Sequence, residues 1–421
     1  MSRPNSSLYR RLSGHAVAAP LAITFTHQMV GSFFLLTAPV LAPLIAERTQ
    51  VSSSLIGSYT ALAYLAAMVA SGLSGRAFAK FGALTSSTIC ILLTVMGLTL
   101  LVSTTPWLIG LSALVIGFGY GPLTPASSHV LAAHSPPRWK NTIMAAKQTG
   151  VPIGGTLAGL TMPLMIVTLG WGWGMALPAL AGLAIALAML PRCRTIDNAT
   201  PPPAKGRMAA ENAPFSRWML TLGAGAFCYA GVQMSLTAFL SLYFVEYLGL
   251  SVAAAGAMIA VFQMAGLTAR VGWGALADRL GERVPLFALI GLTIVAAIAV
   301  FLALAQPDAS PNRLIVATFI LGIFCNSWTG LYFAEIIRAV RLDEMGRTTG
   351  MALMFTFAGV VVVPPLIGVA VTLTGYPVAF ALIGALGAAG AMAGLIARMT
   401  ANRMTGKRMT GKRATGNRRS S

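Results

Sequence analysis

Two cations, Arg270 and Lys147, stand inside long apolar runs. A charge placed in a membrane-spanning segment costs about 3 kcal/mol on insertion scales and marks a functional site by default. Arg270 lies eight residues before Asp278, about 12 Å from the helix end at 1.5 Å per residue, which is too deep for easy snorkelling. Its planar fork suits a carboxylate, pairing with both oxygens at once. Lys147 lies nine residues past Arg138, about 13.5 Å in, so its depth nearly matches that of Arg270. Two unpaired cations at one height repel, and an anionic ligand relieves that repulsion. The alternative for Arg270 is a structural arginine bonded to backbone carbonyls or to an acid on a neighbouring helix. The alternative for Lys147 is a side chain that snorkels or faces a loop. His27 and Gln28 are adjacent in the first apolar run; a histidine titrates near neutral pH and could carry a coupling proton, or sit neutral against a neighbour.

Helical spacing groups further polar residues. Tyr229, Gln233 and Thr237 share one face, as do Tyr120, Thr124 and Ser128, and Asn326, Thr329 and Phe333, with Trp328 and Tyr332 nearby. Polar groups inside a bundle must bond to something, either a ligand or another helix. Glu246 falls near the outer end of its segment and Glu335 near an inner end. There is no GxxxxGK[S/T] for ATP, no HExxH, no Cys/His cluster for a metal and no evident Ser/His/Asp constellation, so no enzyme, cofactor or metal is expected.

The elements that position these groups follow from composition. Of 421 residues, 56% are hydrophobic and 9% charged, with a mean hydropathy of +0.77. Soluble domains carry about a quarter charged residues, so a water-soluble enzyme is excluded. Long continuous apolar runs, not short alternating segments, point to helices instead of a β-barrel. Twelve such segments are expected, at about 21–46, 55–75, 84–104, 107–131, 141–169, 173–191, 218–246, 252–274, 285–305, 313–337, 349–373 and 376–397. The first is too long for a signal-peptide core. Of four cysteines, Cys90, Cys228 and Cys325 lie in apolar runs and Cys193 in a basic stretch, with no disulfide framework.

The chain therefore divides into a segment 1–20, a six-helix bundle 21–191, a Pro-rich linker 192–217, a second bundle 218–398 and a tail 399–421. The tail repeats a pentad ending in Arg403, Arg408, Arg413 and Arg418, reads as disordered, and is suited to anionic lipid. With both termini cytoplasmic, Arg48 and Arg313 alone fall in outer loops and Lys147 and Arg270 within segments; every other Lys and Arg of the 29 is inside. The net charge of +19 is thus a topology signal, not a nucleic-acid footprint. Trp107, Trp171 and Trp173 fit anchoring at the outer interface.

The two halves match. Gly274, Asp278, Arg279, Gly281 and Arg283 follow the eighth segment, and Gly75, Ala79, Lys80 and Gly82 follow the second. Arg138 precedes Gly150, and Arg347 precedes Gly359, by twelve residues each. Parallel six-helix repeats are a transporter architecture with a midplane site between the halves. Over about residues 20 to 398 the sequence resembles the major facilitator superfamily, whose G-x-x-x-D-R/K-x-G-R/K signature these residues follow, except that Ala79 stands at the acidic position. The resemblance implies an all-α fold of twelve spans in two pseudo-symmetric bundles, with a gating role for the signature residues and cavity walls from the first, fourth, seventh and tenth helices. Arg270-Val-Gly-Trp-Gly274 is also similar to the R-x-x-x-G of monocarboxylate transporters and oxalate/formate exchangers, where this arginine contacts the substrate carboxylate. Those exchangers carry a second cation where this chain has Thr356. Lys147-Gln-Thr-Gly150-Val-Pro152-Ile-Gly154-Gly155 loosely resembles the fifth-helix glycine-proline motif of exchangers.

The expected function is secondary transport of a mono- or dicarboxylate by alternating access, in a monomer of the inner or plasma membrane. Arg270 would bind the carboxylate, Lys147 would supplement the field, and His27, Gln28, Tyr120, Thr124, Tyr229, Gln233, Asn326, Trp328 and Tyr332 would shape the site. A proton or a counter-anion would be the coupling partner. The alternatives are efflux of amphipathic compounds, using the 21 methionines as an adaptable wall, and a receptor that has lost transport.

Overall fold

A chain this apolar must satisfy its backbone internally, and helices do so within each segment. The computed structural model describes residues 6–103, 105–136, 140–200, 217–280, 284–339 and 345–416, and among these there is no strand. The helices are α1 (Ser6–Val40), α2 (Ala42–Thr49), α3 (Ile56–Phe81), α4 (Ala83–Leu100), α5 (Pro106–Tyr120), α6 (Leu123–His134), α7 (Lys140–Gln148) and α8 (Gly150–Ala199) in the first half. The second half has α9 (Arg217–Leu242), α10 (Val252–Leu280), α11 (Val284–Leu304), α12 (Pro311–Cys325), α13 (Trp328–Ala339), α14 (Met345–Thr374) and α15 (Tyr376–Gly416).

Among the described residues, eleven helical stretches are long and apolar enough to cross a membrane. One of them, Ala146–Ala199, has 54 residues, about 80 Å of helix, which is enough for two crossings. Its backbone leaves helical geometry at Gly170 (φ 76°), where the chain reverses, so the described residues hold twelve spans. Trp171 secures this turn: its Nε1 donates to the Val102 carbonyl at 3.1 Å, and Arg48 lies over its ring at 4.8 Å. The fourth span is broken between α5 and α6 at Gly121-Pro122, and the tenth between α12 and α13 at Asn326-Ser327. The two breaks thus fall at the same place in each half.

Small residues set the close contacts. Gly117 on α5 and Gly121 just past its end lie one turn apart, and a Cβ on either would collide with the carbonyl of Ala63 or Ala67 on α3. Gly119, on another face, meets the Cys90 carbonyl of α4. With two faces of α5 committed to neighbours, Tyr120 is directed at a third, toward α1. The two halves meet at the end of the molecule where the first, third and fifth spans finish. There Ser241 Oγ donates to the Val40 carbonyl at 2.8 Å, and Gly57 on α3 abuts the Pro364 carbonyl on α14. Gly159 on α8 and Gly256 on α10 press backbone to backbone at that same end.

Three boundaries differ from the sequence expectation. The stretch expected to begin the linker at Arg192 continues α8 to Ala199, and residues 201–216 lie outside the described residues. The cause is Asp197. Its two carboxylate oxygens accept from Leu84 N at 2.9 Å and Thr85 N at 2.8 Å, covering the start of α4 just after the left-handed Gly82 (φ 87°). Cys193, expected in a loop, is consequently buried in α8. The tail expected to be disordered continues α15 as far as Gly416, with no proline to interrupt it. The segment before residue 21 is helical from Ser6.

Asp197→Ala leaves two amides at the α4 start without their acceptor. We expect a loss of about 1–2 kcal/mol, as for removal of an N-cap, read as a fall in melting temperature of the detergent-purified protein. An unchanged melting temperature would show that water replaces the carboxylate without cost.

Candidate functional site

Arg270 is placed by two features of its surroundings. Gly266, one turn earlier on α10, lets Asn326 approach so closely that a Cβ there would overlap it. The break after α12 leaves the Asn326 carbonyl outside the helical ladder, and Arg270 Nε donates to it at 3.1 Å. This bond fixes the plane of the guanidinium. The terminal nitrogens have no acceptor among the described residues, and no carboxylate there lies within 4 Å. Arg270 is half-buried, so the fork faces open space.

Opposite stands Tyr120, its hydroxyl within electrostatic reach of Arg270. It accepts from Gln28 Nε2 at 3.1 Å, and Gln28 Oε1 accepts from Thr124 at 3.4 Å. Gln28, Tyr120 and Thr124 thus form one chain from α1 to α5 and α6. Tyr64 on α3 meets Tyr120 edge to face, with ring centroids 6.2 Å apart, and lies 6.2 Å from Phe357 on α14. Its hydroxyl contacts Met234 Sδ at 3.6 Å.

Lys147 is sealed off from that space. It is 1% exposed and donates to Ser127 Oγ at 2.9 Å, one turn from Thr124 on α6. It too has no carboxylate within 4 Å among the described residues. The expected placement of Lys147 beside Arg270 at one cavity surface is therefore not met: its side chain is buried against Ser127 of α6. The glycines after it explain its position. Gly150 and Gly154 pack on α1 at the carbonyls of Phe25 and Met29, while Gly155 meets Gln263 of α10.

The second half separates its candidates. Tyr229, Trp328 and Tyr332 are buried in an aromatic core around Phe287, where Tyr229 donates to the Phe287 carbonyl at 2.9 Å and Tyr332 to that of Ala352 at 3.1 Å. These rings pack the bundle instead of lining a space. Trp328 Nε1 donates to Gln233 Oε1 at 2.9 Å, so it positions half-buried Gln233. Asn326 donates to the carbonyls of Phe262 and Gly322, and Thr237 to that of Gln233. His27 diverges from Gln28: its ring lies 3.2 Å from Ser87 Oγ and 3.4 Å from Thr88 Oγ1 of α4, buried beside Cys193. Adjacent residues on a helix point about 100° apart, and here the turn takes His27 out of the space facing Arg270. Thr356, where the exchangers have a second cation, bonds back to the Ala352 carbonyl at 3.2 Å. Glu246 accepts from the Tyr376 hydroxyl at the closed end, and Glu335 is buried on α13.

Of the signature residues, Gly75 and Lys80 are exposed, with Lys80 Nζ 5.0 Å from the Phe81 ring, and Gly82 makes the left-handed turn before α4. Gly274, Asp278 and Arg279 fall on the last turns of α10. Gly281 and Arg283 lie outside the described residues. Three residues that serve this region were not singled out in the sequence: Tyr64, Phe357 and Ser127. A tyrosine amid the alanines and leucines of the second segment was the available signal for the first.

The family model of the Major Facilitator Superfamily matches residues 21–329. An MFS-type transporter of Mycobacterium tuberculosis (strain CDC 1551 / Oshkosh) is 26% identical over 286 residues, covering 66% of this chain and 61% of that one. The gentisate transporter of Corynebacterium glutamicum is 24% identical over 195 residues, or 44% of this chain and 43% of the relative. The matches thus span about two to three fifths of the length of these relatives. A crystal structure of a bacterial homolog of the human lysosomal transporter Spinster, inward-facing and occupied, aligns with a TM-score of 0.69 at 15% identity, covering 95% of this chain and 97% of that one. Its unoccupied inward-facing form aligns at 0.67. With the twelve spans and the family match together, the chain belongs to the Major Facilitator Superfamily, a family of multi-span membrane transporters and not of enzymes.

Proposed function

We propose that this protein is a secondary active transporter that moves a small organic anion by alternating access between its two bundles. The observation that carries the reading is Arg270: a guanidinium deep in a span, its plane fixed on the Asn326 carbonyl, its terminal nitrogens without a partner among the described residues. An isolated charge in such a place is costly, and a carboxylate held by both terminal nitrogens offsets that cost. Lys147 adds positive potential from its buried position beside Ser127. Gln28, Thr124 and Gln233 supply polar edges. The transport of gentisate, a carboxylate, by the Corynebacterium relative supports an anionic substrate.

The Lys and Arg distribution supports cytoplasmic termini, as set out above. The end closed by Ser241, Gly57 and Gly256 is then the outer one, and the site is reached from inside. The degenerate signature, with Ala79 in the first half, puts the acidic gate contact on Asp278 alone.

The test is a thermal-shift panel on detergent-purified protein, followed by uptake into proteoliposomes. A ligand that binds the folded state alone raises the melting temperature by mass action. Carboxylates are expected to stabilise wild type and not Arg270→Ala. Stabilisation of both by amphipathic cations, with no effect of any anion, would replace this reading with efflux.

Lys147→Met separates field from fold. Methionine fills a similar volume with no charge to bury, so the melting temperature without ligand is expected to hold or rise. Anion affinity is expected to fall about tenfold, the effect of about 1.4 kcal/mol. Unchanged affinity would remove Lys147 from the site.

A further inference from the structure

Beside Arg270 the space between the halves is walled by aromatic rings that are only half-buried. Tyr64, Tyr120 and Phe357 come from α3, α5 and α14, and Tyr64 stands between the other two at 6.2 Å from each. All three are half-buried although they sit deep in their spans and contact other spans. The second-half rings Tyr229, Tyr332 and Phe287 are by contrast fully buried, with Phe287 edge to face against Tyr229 and stacked on Tyr332. Beyond Tyr64, toward the end where the halves meet, Leu35, Leu36, Pro39, Tyr59 and Met234 close the space with apolar side chains. A ligand here therefore meets a planar cation at one end and aromatic rings along its body.

We propose that the site takes an aromatic carboxylate, with the carboxylate on the Arg270 fork and the ring packed against the group formed by Tyr64, Tyr120 and Phe357. The inference rests on the organic-anion reading above and narrows it. Aromatic pairs at 4.5–7 Å gain over the same buried area of saturated carbon, because the edge of one ring meets the face of another. A saturated ring has neither. A short aliphatic acid would satisfy Arg270 and leave the ring walls without contact. The gentisate relative, whose substrate is a ring bearing a carboxylate, is consistent with this division of the site.

The experiment compares benzoate, 2,5-dihydroxybenzoate, cyclohexanecarboxylate and lactate for binding to the purified full chain, by calorimetry. The variants are Tyr64→Leu, Tyr64→Phe, Phe357→Leu and Arg270→Ala. In wild type, benzoate or its dihydroxy form is expected to bind about tenfold tighter than cyclohexanecarboxylate, the gain of one to two aromatic pairs. Tyr64→Leu and Phe357→Leu are expected to erase that ratio while cyclohexanecarboxylate still binds, and Tyr64→Phe to keep it. Equal affinity of the aromatic and saturated rings for wild type overturns the inference whether or not the variants fold, and so does a ratio that survives both leucine substitutions. If lactate and cyclohexanecarboxylate bind in an Arg270-dependent way with no aromatic preference, the inference fails and the organic-anion reading stands. If no carboxylate binds wild type, both fail together.

Discussion

Arg270→Lys is expected to reduce anion uptake by a factor of a hundred or more, although it keeps the charge. Lysine carries a compact ammonium with no Nε of its own and no plane. In wild type one nitrogen is already engaged, since Nε donates to the Asn326 carbonyl, and that bond aims the remaining two. A lysine at 270 must either satisfy Asn326 or reach the substrate. Truncating one partner of a buried charge pair costs about 2–5 kcal/mol, which corresponds to about 30- to several-thousand-fold in affinity. Arg270→Ala belongs at the severe end of that range. Neither change should unfold the protein, because Arg270 has no acid partner among the described residues whose charge would be stranded. The check is initial uptake rate in proteoliposomes alongside the melting temperature. If Arg270→Lys transports at the wild-type rate with an unchanged KM, the fork has no role in recognition and the arginine is structural.

The residue type made Arg270 legible in the sequence, because a charge in an apolar run is conspicuous. Its partner was not, because a backbone carbonyl has no residue type; only the break at Asn326-Ser327 frees it. Lys147 was legible for the same reason as Arg270, yet depth along a helix says nothing of rotation about its axis. Matching depths suggested one shared surface, whereas the packing of Gly150 and Gly154 on α1 turns Lys147 toward Ser127. His27 and Gln28 show how sharp this limit is. They are neighbours in sequence, and one bonds to α4 while the other bonds to Tyr120. The aromatic wall was hidden for a further reason: Tyr64 and Phe357 are almost three hundred residues apart and belong to different halves, so no spacing rule links them. The twelve spans were legible because hydrophobic length alone defines a span. The helical extent of α8 was not, because it depends on Asp197 reaching the α4 start over more than a hundred residues of chain.

Substituting Gly256 in the series Ala then Val is expected to weaken closure of the halves at the end where Val40 meets Ser241, and Gly256→Val to abolish most transport. Gly256 on α10 faces Gly159 on α8, and a Cβ on either collides with the backbone of the other; the Gly256 Cβ also meets the Pro163 ring at 2.7 Å. Backbone cannot rotate away as a side chain can, so the helices must separate. Overpacking of this kind costs about 1–3 kcal/mol, and here the closed arrangement alone bears it. The balance between closed and open at that end then shifts by about five- to 150-fold, since each 1.4 kcal/mol is tenfold. Alternating access requires that end to seal before the other opens, so a transporter that seals rarely turns over slowly. Gly72 on α3 is the control: a Cβ there meets nothing within 4 Å, and Gly72→Val should cost only local helix propensity. The direct measurement is reaction of Ser54→Cys, next to Gly368 at the same end, with a membrane-impermeant maleimide, in a chain whose four native cysteines are serine. Gly256→Val should label faster than its parent and Gly72→Val at the parent rate. If labelling and uptake are both unchanged by Gly256→Val, closure at that end does not depend on the Gly159–Gly256 contact, and the seal rests instead on the Gly57–Pro364 and Ser241–Val40 contacts of α3, α14, α1 and α9.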